Sequence, residues 1–360
     1  MDIFESKLDI SFDLTQKALS LIAQIDQYRG FWAGRELQEG RALKELKTIA
    51  TVQSIGSSTR IEGATMTDDE VSDLMRNVKI TKMKTRDEQE VAGYYETLEI
   101  IYENYRTIRL SESYLQQLHG MLLKYSEKDD RHRGHYKQLS NQVVARYPDG
   151  SQQIIFKTTE PFLVESEIHS VLEWTNQKLS DGSIHALLVI ALFVYEFLSI
   201  HPFQDGNGRL SRLLTTCCLL QQGYGFIQYI SFENHIEEHK SEYYRVLMEG
   251  QRQRGKNTEK VGSWILFFLE SLVALTKKLD DKYERLKQTS SYMNSRQRQV
   301  RDYIAAHQAL KFADIAAHFI DIPTGTLKKD LTVLRAEKML LTTGKGRGTV
   351  YGAAPTYPSV

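Results

Sequence analysis

The sequence predicts a mainly α-helical protein with one β-hairpin and a small additional domain at its C-terminal end. Apolar residues recur at helical spacing along most of the chain, and only six prolines interrupt 360 residues. A single interval carries β-branched runs around a turn. This length is enough for two or three domains, each burying its own core.

Taken in order, the pattern places helices near residues 14–29, 41–60, 87–105, 112–124, 163–179, 185–200, 209–222, 236–249 and 259–285. The exception is "NQVVARYPDGSQQIIFKTTEP", Asn141 to Pro161. Two short β-prone runs flank Pro148-Asp149-Gly150 there, and Asp and Gly tolerate the positive φ of a tight turn, so this interval is a hairpin. After Lys287 the polar stretch "QTSSYMNSRQRQ" marks a linker or an exposed helix start. Beyond it come "RQRQVRDYIAAH", "KFADIAAHF", "PTGTLKKDLTVLRAEKML" and the basic, Gly-rich "LTTGKGRGTVYG". Two short helices, a turn, a third helix and a hairpin form the order of a winged helix.

Composition excludes several classes. The 46 basic residues balance 46 acidic ones, so any attraction to nucleic acid or membrane is local. Cys217 and Cys218 are adjacent in an apolar run and cannot form an ordinary structural disulfide, which fits a reducing compartment. The N-terminus lacks the basic-then-apolar pattern of a signal peptide. The longest apolar runs are broken by Glu196 and Glu270 and fall short of the roughly 18 residues a membrane span needs. The expectation is a soluble, cytoplasmic protein.

The chemistry concentrates in "SIHPFQDGNGRLSRLL", residues 199–214. Pro202 disfavours the α conformation at His201, so the apolar helix stops there and frees the imidazole to face a cleft. Gly206-Asn207-Gly208 leads into the next helix, where unpaired N–H groups and the helix dipole favour an anion. Arg209 and Arg212, three apart, project from one face near that helix start. Asp205 beside a phosphate site is the usual kind of Mg²⁺ ligand, and His201 titrates near neutrality. The set describes phosphoryl or nucleotidyl transfer with a side-chain base. No Gly-Lys-Ser/Thr follows, against a P-loop, and His201 with Asp205 lacks a third metal ligand at a convincing spacing.

"HPFQDGNGRLSR" resembles the signature of Fic domains, His-x-Phe-x-Asp/Glu-Gly-Asn-Gly-Arg-x-x-Arg, at every fixed position. The resemblance implies a helical Fic core with a β-hairpin flap and transfer of AMP from ATP to a Ser, Thr or Tyr hydroxyl of a protein, with auto-modification a further outcome. His201 would be the general base and Asp205 the Mg²⁺ ligand. Gly206, Asn207 and Gly208 would cradle the phosphates, Arg209 would contact the α- or β-phosphate, and Arg212 the γ-phosphate. Phe203 would be a core anchor.

A second match lies upstream. In "SSTRIEG", Ser58 and Glu62 share a helix face and Gly63 follows as a helix stop. A glutamate there opposes the helix dipole, which suggests a partner elsewhere. Fic proteins with an inhibitory helix carry Ser/Thr-x-x-x-Glu-Gly/Asn, and the glutamate pairs with the second arginine of the signature. The resemblance therefore implies autoinhibition through Ser58, Glu62 and Gly63, with Glu62 held by Arg212.

By the same resemblance Ile155 to Thr158, including Phe156 and Lys157, would lie along the nucleotide and target groove, although the usual Pro-Pro after the flap is Glu160-Pro161 here. Tyr243 and Tyr244 would line the adenine pocket, with Gln251 a further candidate; core packing explains the two tyrosines equally well. His132 and His135 read as structural or surface residues. The implied domains are an N-terminal region at 1–110 with an inhibitory helix at about 47–62, a core at 111–285 and a winged helix at 290–360. Lys328, Lys329, Arg335, Lys345 and Arg347 would supply cations for DNA, diluted by Asp330 and Glu337. Alternatives to AMP transfer are removal of AMP from a modified protein, or a DNA-binding regulator whose core senses nucleotide. The oligomeric state stays open, with a homodimer among the options.

Overall fold

The computed structural model describes residues 3–37, 41–78, 83–146, 152–256, 259, 261–290, 295–307, 309–337, 339–344 and 346–353. The chain divides into two units, Met1–Arg35 with Lys47–Leu279, and Glu36–Leu46 with Asp280–Val360.

The N-terminal helices are α1 (Ile3–Lys7), α2 (Phe12–Glu36) and α3 (Arg41–Ile61). Next come α4 (Asp68–Asn77) and α5 (Arg86–Asn104), each begun by a threonine in a capping box. The Thr67 and Thr85 hydroxyls accept from the amides of Glu70 and Glu88, whose carboxylates return a bond to the cap amide. Helices α1 and α4 lie outside the set that apolar periodicity picks out. In α4 the Thr-x-x-Glu signature was present, but polar residues dominate the short segment.

Helix α6 (Glu112–Leu122) precedes strands β1 (Gln142–Arg146) and β2 (Gln152–Lys157), which pair antiparallel with an irregularity between Val143 and Val144. The hairpin is thus where β-branching placed it, while its Pro148-Asp149-Gly150 turn lies outside the described residues. Helices α7 (Val164–Asp181), α8 (Ala186–Ile200) and α9 (Asn207–Gln221) follow. The single helix expected at 236–249 is two, α10 (Phe232–Glu238) and α11 (Lys240–Gln251), broken at His239. Then comes α12 (Gly262–Ser290).

The core of the first unit is built on α8, which is apolar and buried on every side and packs against α7 and α9. Each Leu, Ile or Phe it withdraws from water contributes about 1.5–3 kcal/mol. Its interrupting carboxylate, Glu196, is 2% exposed and held by Lys7 at 2.5 Å and Arg254 at 2.8 Å, so the buried charge is paired. Helix α9, carrying buried Cys217 and Cys218, also meets α5 and α6. No helix among the described residues is long and apolar enough to cross a membrane.

The second unit contains α13 (Ser295–His307), β3 (Leu310–Lys311), α14 (Phe312–His318), α15 (Thr324–Ala336), β4 (Leu340–Thr343) and β5 (Val350–Ala353). The strands form an antiparallel sheet in the order β3-β5-β4, and Val300, Ile304, Ile315, Leu327, Leu331, Leu334 and Leu340 make the core beneath it. Asp330, expected to dilute a basic surface, instead faces inward. It is 3% exposed and accepts from Arg296 Nε at 2.6 Å and Gln297 Nε2 at 3.0 Å. Lys328, Lys329 and Arg335 are exposed, and Glu337 is half-buried. Lys345 and the Arg347 side chain lie outside the described residues.

Candidate active site

The end of α8 fixes the histidine. His201 takes the left-handed conformation, φ 53° and ψ 62°, with its amide donating to Phe197 O at 2.9 Å. A non-glycine residue there costs on the order of 1 kcal/mol or more, which the surrounding packing must hold in place. Its Nδ1 donates to Leu198 O at 3.2 Å, which leaves Nε2 with a free lone pair. Burial pushes the imidazole down to about 4, so it is neutral at physiological pH.

The following turn is braced from inside. Phe203 is fully buried and stacks on His119, ring centroids 3.8 Å apart and planes 8° apart. His119 Nδ1 accepts from the Gly134 amide at 3.0 Å, so its proton is on Nε2, which donates to Asp205 O at 3.0 Å. Burial holds that ring neutral as well, at about 4. Gly206 adopts φ 79°, a conformation that favours glycine, while a Cβ there would meet the His119 ring only at ordinary contact distance, 3.5 Å. Asn207 is 1% exposed, and its amide spans the turn, Oδ1 accepting from Phe203 N at 2.9 Å and Nδ2 donating to Phe203 O at 2.7 Å. Its side chain therefore shapes the cradle from within the protein.

Charge is concentrated where α9 begins. Arg212 is buried and donates to Ser58 Oγ at 2.8 Å, Ser58 O at 2.9 Å and Glu62 Oε1 at 2.8 Å. Glu62 also lies against the first turn of α9, since a Cβ on Gly208 would sit 2.2 Å from its Oε1. Only glycine at 208 permits that approach. Burial raises the Glu62 carboxyl, but the charge and hydrogen bond of Arg212 outweigh it and hold the group below its usual range. Arg209 is 1% exposed and lies 3.2 Å from Asp205 Oδ1 and 3.3 Å from Glu90 Oε2, yet its Nε and Nη1 have no hydrogen-bond partner. Nη1 is nevertheless the atom that faces Glu90 at ion-pair distance, so only Nε is without a partner, and the guanidinium acts on the turn mainly through its buried charge. Asp205 is raised by burial but lowered further by Arg209 and the Gly206 amide, so it is ionised. Its Oδ2 has Arg86 at 3.7 Å and Lys128 at 3.9 Å.

One cavity of about 730 Å³ gathers these groups, a volume in the range of small-molecule sites. It is lined by Glu62, Gly63, His201, Asp205, Gly206, Asn207, Gly208, Arg212, Tyr243 and Tyr244, all expected from the sequence. Ser58 is fully buried behind it as the Arg212 partner. Phe156, Lys157, Arg209 and Gln251 are not among the lining residues. Phe156 packs on Tyr244 and Met248, Lys157 pairs with Glu160 at 2.6 Å, and Gln251 Nε2 donates to Ser199 Oγ at 2.9 Å. Tyr243 is 4% exposed and meets Trp264 edge-on at 5.6 Å, so the packing role foreseen for it is real alongside its place at the cavity.

Sequence reasoning missed Arg86, Lys128 and Lys240 at this cavity and His119 behind it. Arg86 and Lys128 belong to no spacing pattern with the motif, and only the fold converges them on Asp205. Lys240 donates to Ile61 O at 2.8 Å, satisfying a carbonyl at the end of α3.

Residues 109–219 match the model of the Fic/DOC family. A Fido domain-containing protein of Dictyostelium discoideum is 33% identical over 116 residues, covering 32% of this chain and 76% of that protein. A protein named protein adenylyltransferase Fic from Drosophila grimshawi is 30% identical over 187 residues, 51% of this chain but 36% of that protein, so this chain spans about a third of that relative's length. In three dimensions a Fic family protein from Desulfovibrio desulfuricans aligns with a TM-score of 0.61 at 20% identity, covering 95% of this chain and 97% of that one, a likeness of fold. The chain belongs to the Fic/DOC family.

Proposed function

We propose that the protein transfers AMP from ATP to a hydroxyl group of a protein, and that the structure is its self-inhibited state. The observation that carries this reading is the 2.8 Å Glu62–Arg212 pair inside the cavity that also holds His201. A carboxylate stationed at the first turn of α9 occupies ground that suits a phosphate, and it engages one of the two motif arginines.

In the reaction, His201 Nε2 takes the proton of the acceptor hydroxyl and the oxygen attacks the α-phosphorus. The bond from that phosphorus to the bridging oxygen of the β-phosphate breaks, and pyrophosphate leaves. Arg209, buried beneath the turn and ion-paired with Asp205 and Glu90, adds positive charge behind the phosphate cradle. Asp205, an ionised oxygen donor half open to the cavity, fits a hard divalent cation. Mg²⁺ held there would offset the charge of the phosphates. Arg86 and Lys128 already supply part of that offset. The Drosophila relative's name as an adenylyltransferase agrees with this chemistry.

The test is AMP incorporation from α-labelled ATP into lysate proteins by wild type and by Glu62→Gly. The variant is expected to be faster by roughly ten- to a hundredfold, the gain from removing a competitor worth a few kcal/mol. Equal rates would reject the inhibitory role of Glu62.

A further inference from the structure

Lys137 is 3% exposed and has no carboxylate at ion-pair distance among the described residues. Its three ammonium protons go to three neutral acceptors: Thr158 Oγ1 at 2.7 Å, Asn141 Oδ1 at 2.9 Å and Ile200 O at 3.1 Å. Burial pushes this amine down to about 8, with Glu160 and Glu167 acting weakly the other way. A buried cation held only by neutral groups is expensive for a fold to keep. Stability alone gives poor grounds for placing one here.

Its partners say what it connects. Asn141 immediately precedes β1 and Thr158 immediately follows β2, so they are the two feet of the hairpin. The Thr158 hydroxyl donates to Asn141 O at 2.8 Å and closes the feet on each other. On the other side is the turn that bears His201. The Lys137 side chain takes Ile200 O, its own amide takes Pro202 O at 2.8 Å, and Asn141 Nδ2 takes Phe203 O at 3.0 Å. The carbonyls of residues 200, 202 and 203 are thus held by two residues, and both also grip the hairpin.

We propose that Lys137 is a positioning residue that locks the base of the hairpin to the His201 turn, so that an acceptor presented along the hairpin stays in register with the imidazole. The inference rests on the function proposed above. A loose lock would leave ATP bound in its cradle on α9 while the acceptor oxygen and His201 drift apart, a fault of catalysis more than of nucleotide binding.

The test compares Lys137→Met and Lys137→Arg in the full-length Glu62→Gly protein, by hydrogen exchange and by initial rates of AMP incorporation from α-labelled ATP into lysate proteins. Methionine keeps the stem and removes the donors, whereas arginine keeps a cation with several donors. The methionine variant is expected to exchange faster in residues 142–157 and 199–204 than elsewhere in the core, and to lose about tenfold in kcat with its KM for ATP changed less than twofold. Arginine should recover most of kcat. Unchanged exchange in the hairpin, or a loss that raises the KM for ATP in proportion, overturns the proposal, as does a methionine variant as active as its parent. If Glu62→Gly itself labels no protein, the functional reading falls, and the exchange data alone decide whether Lys137 couples hairpin and turn.

Discussion

Two guanidinium–carboxylate contacts hold the last turn of α3, and their surroundings set them apart. At Glu62–Arg212 the arginine side chain is 3% exposed, and the carboxylate sits in the cavity against Gly208. At Arg60–Glu237 both side chains are about a quarter exposed, 22% and 27%, and the guanidinium also reaches Met66 O and Asp68 Oδ1 at 2.9 and 3.0 Å. Under the proposed function the inner contact engages a cation that an incoming triphosphate would use, so ligand and carboxylate would compete for Arg212. The outer contact, whose Glu237 lines the same cavity, ties the helix end to α10 without touching Arg212. On the proposed reading one pair would be the switch and the other its mount, although Arg60 and Glu62 lie two residues apart.

The largest expected effect comes from removing the imidazole that shares the cavity with the inner pair. His201→Ala in the Glu62→Gly background should lower AMP incorporation by two to four orders of magnitude, the usual contribution of a general base. Nucleotide binding by calorimetry should be largely kept. Transfer persisting within tenfold would mean that another group takes the proton.

The outer pair should matter less. Arg60→Ala in an otherwise unchanged chain should raise incorporation only about fivefold, since a partly exposed pair contributes on the order of 1 kcal/mol. A gain as large as that of Glu62→Gly would show that the mount and the switch are one device.

Acidification should act on the fold before it acts on either pair. Glu62 and Glu237 are both held below their usual range by their arginines, so they stay ionised into more acidic solution than an ordinary glutamate would. Buried His119 and His235 are pushed down to about 4 in the folded protein, against about 6.5 when unfolded. Between those values the unfolded chain binds more protons, so stability falls as pH drops through that window, by about 1.4 kcal/mol per unit for each proton taken up. Melting temperatures from pH 7 to 5 should decline while the activity ratio of Glu62→Gly to wild type stays constant. A ratio that collapses at pH 5 would show that the latch titrates first.

Much of this site was legible in the sequence because its logic is local. Pro202 stops α8 at His201, Gly206 and Gly208 admit a tight turn and a close carboxylate, and the spacing of Ser58, Glu62 and Gly63 foretells a helix end with a partner elsewhere. The role of Asn207 was read less well. An asparagine in an anion turn suggests ligand contact, but its amide is consumed by the backbone of Phe203. Arg86, Lys128, His119 and Lys137 were invisible for a different reason. Each acts on the motif from another segment, and nothing in its own neighbourhood marks the distance it spans. The break at His239 and the short α4 were missed because apolar periodicity is a weak guide where a helix is brief or half-exposed.

In the proposed function Glu62 holds ground that the terminal phosphate of ATP would otherwise take through Arg212. Calorimetric affinities for ATP and ADP, measured on wild type and on Glu62→Gly, test it most directly. Wild type is expected to bind ATP no more tightly than ADP, and the variant to favour ATP by about tenfold, the contribution of one charge-assisted contact of about 1.4 kcal/mol. The same ATP-to-ADP ratio in both proteins would contradict it.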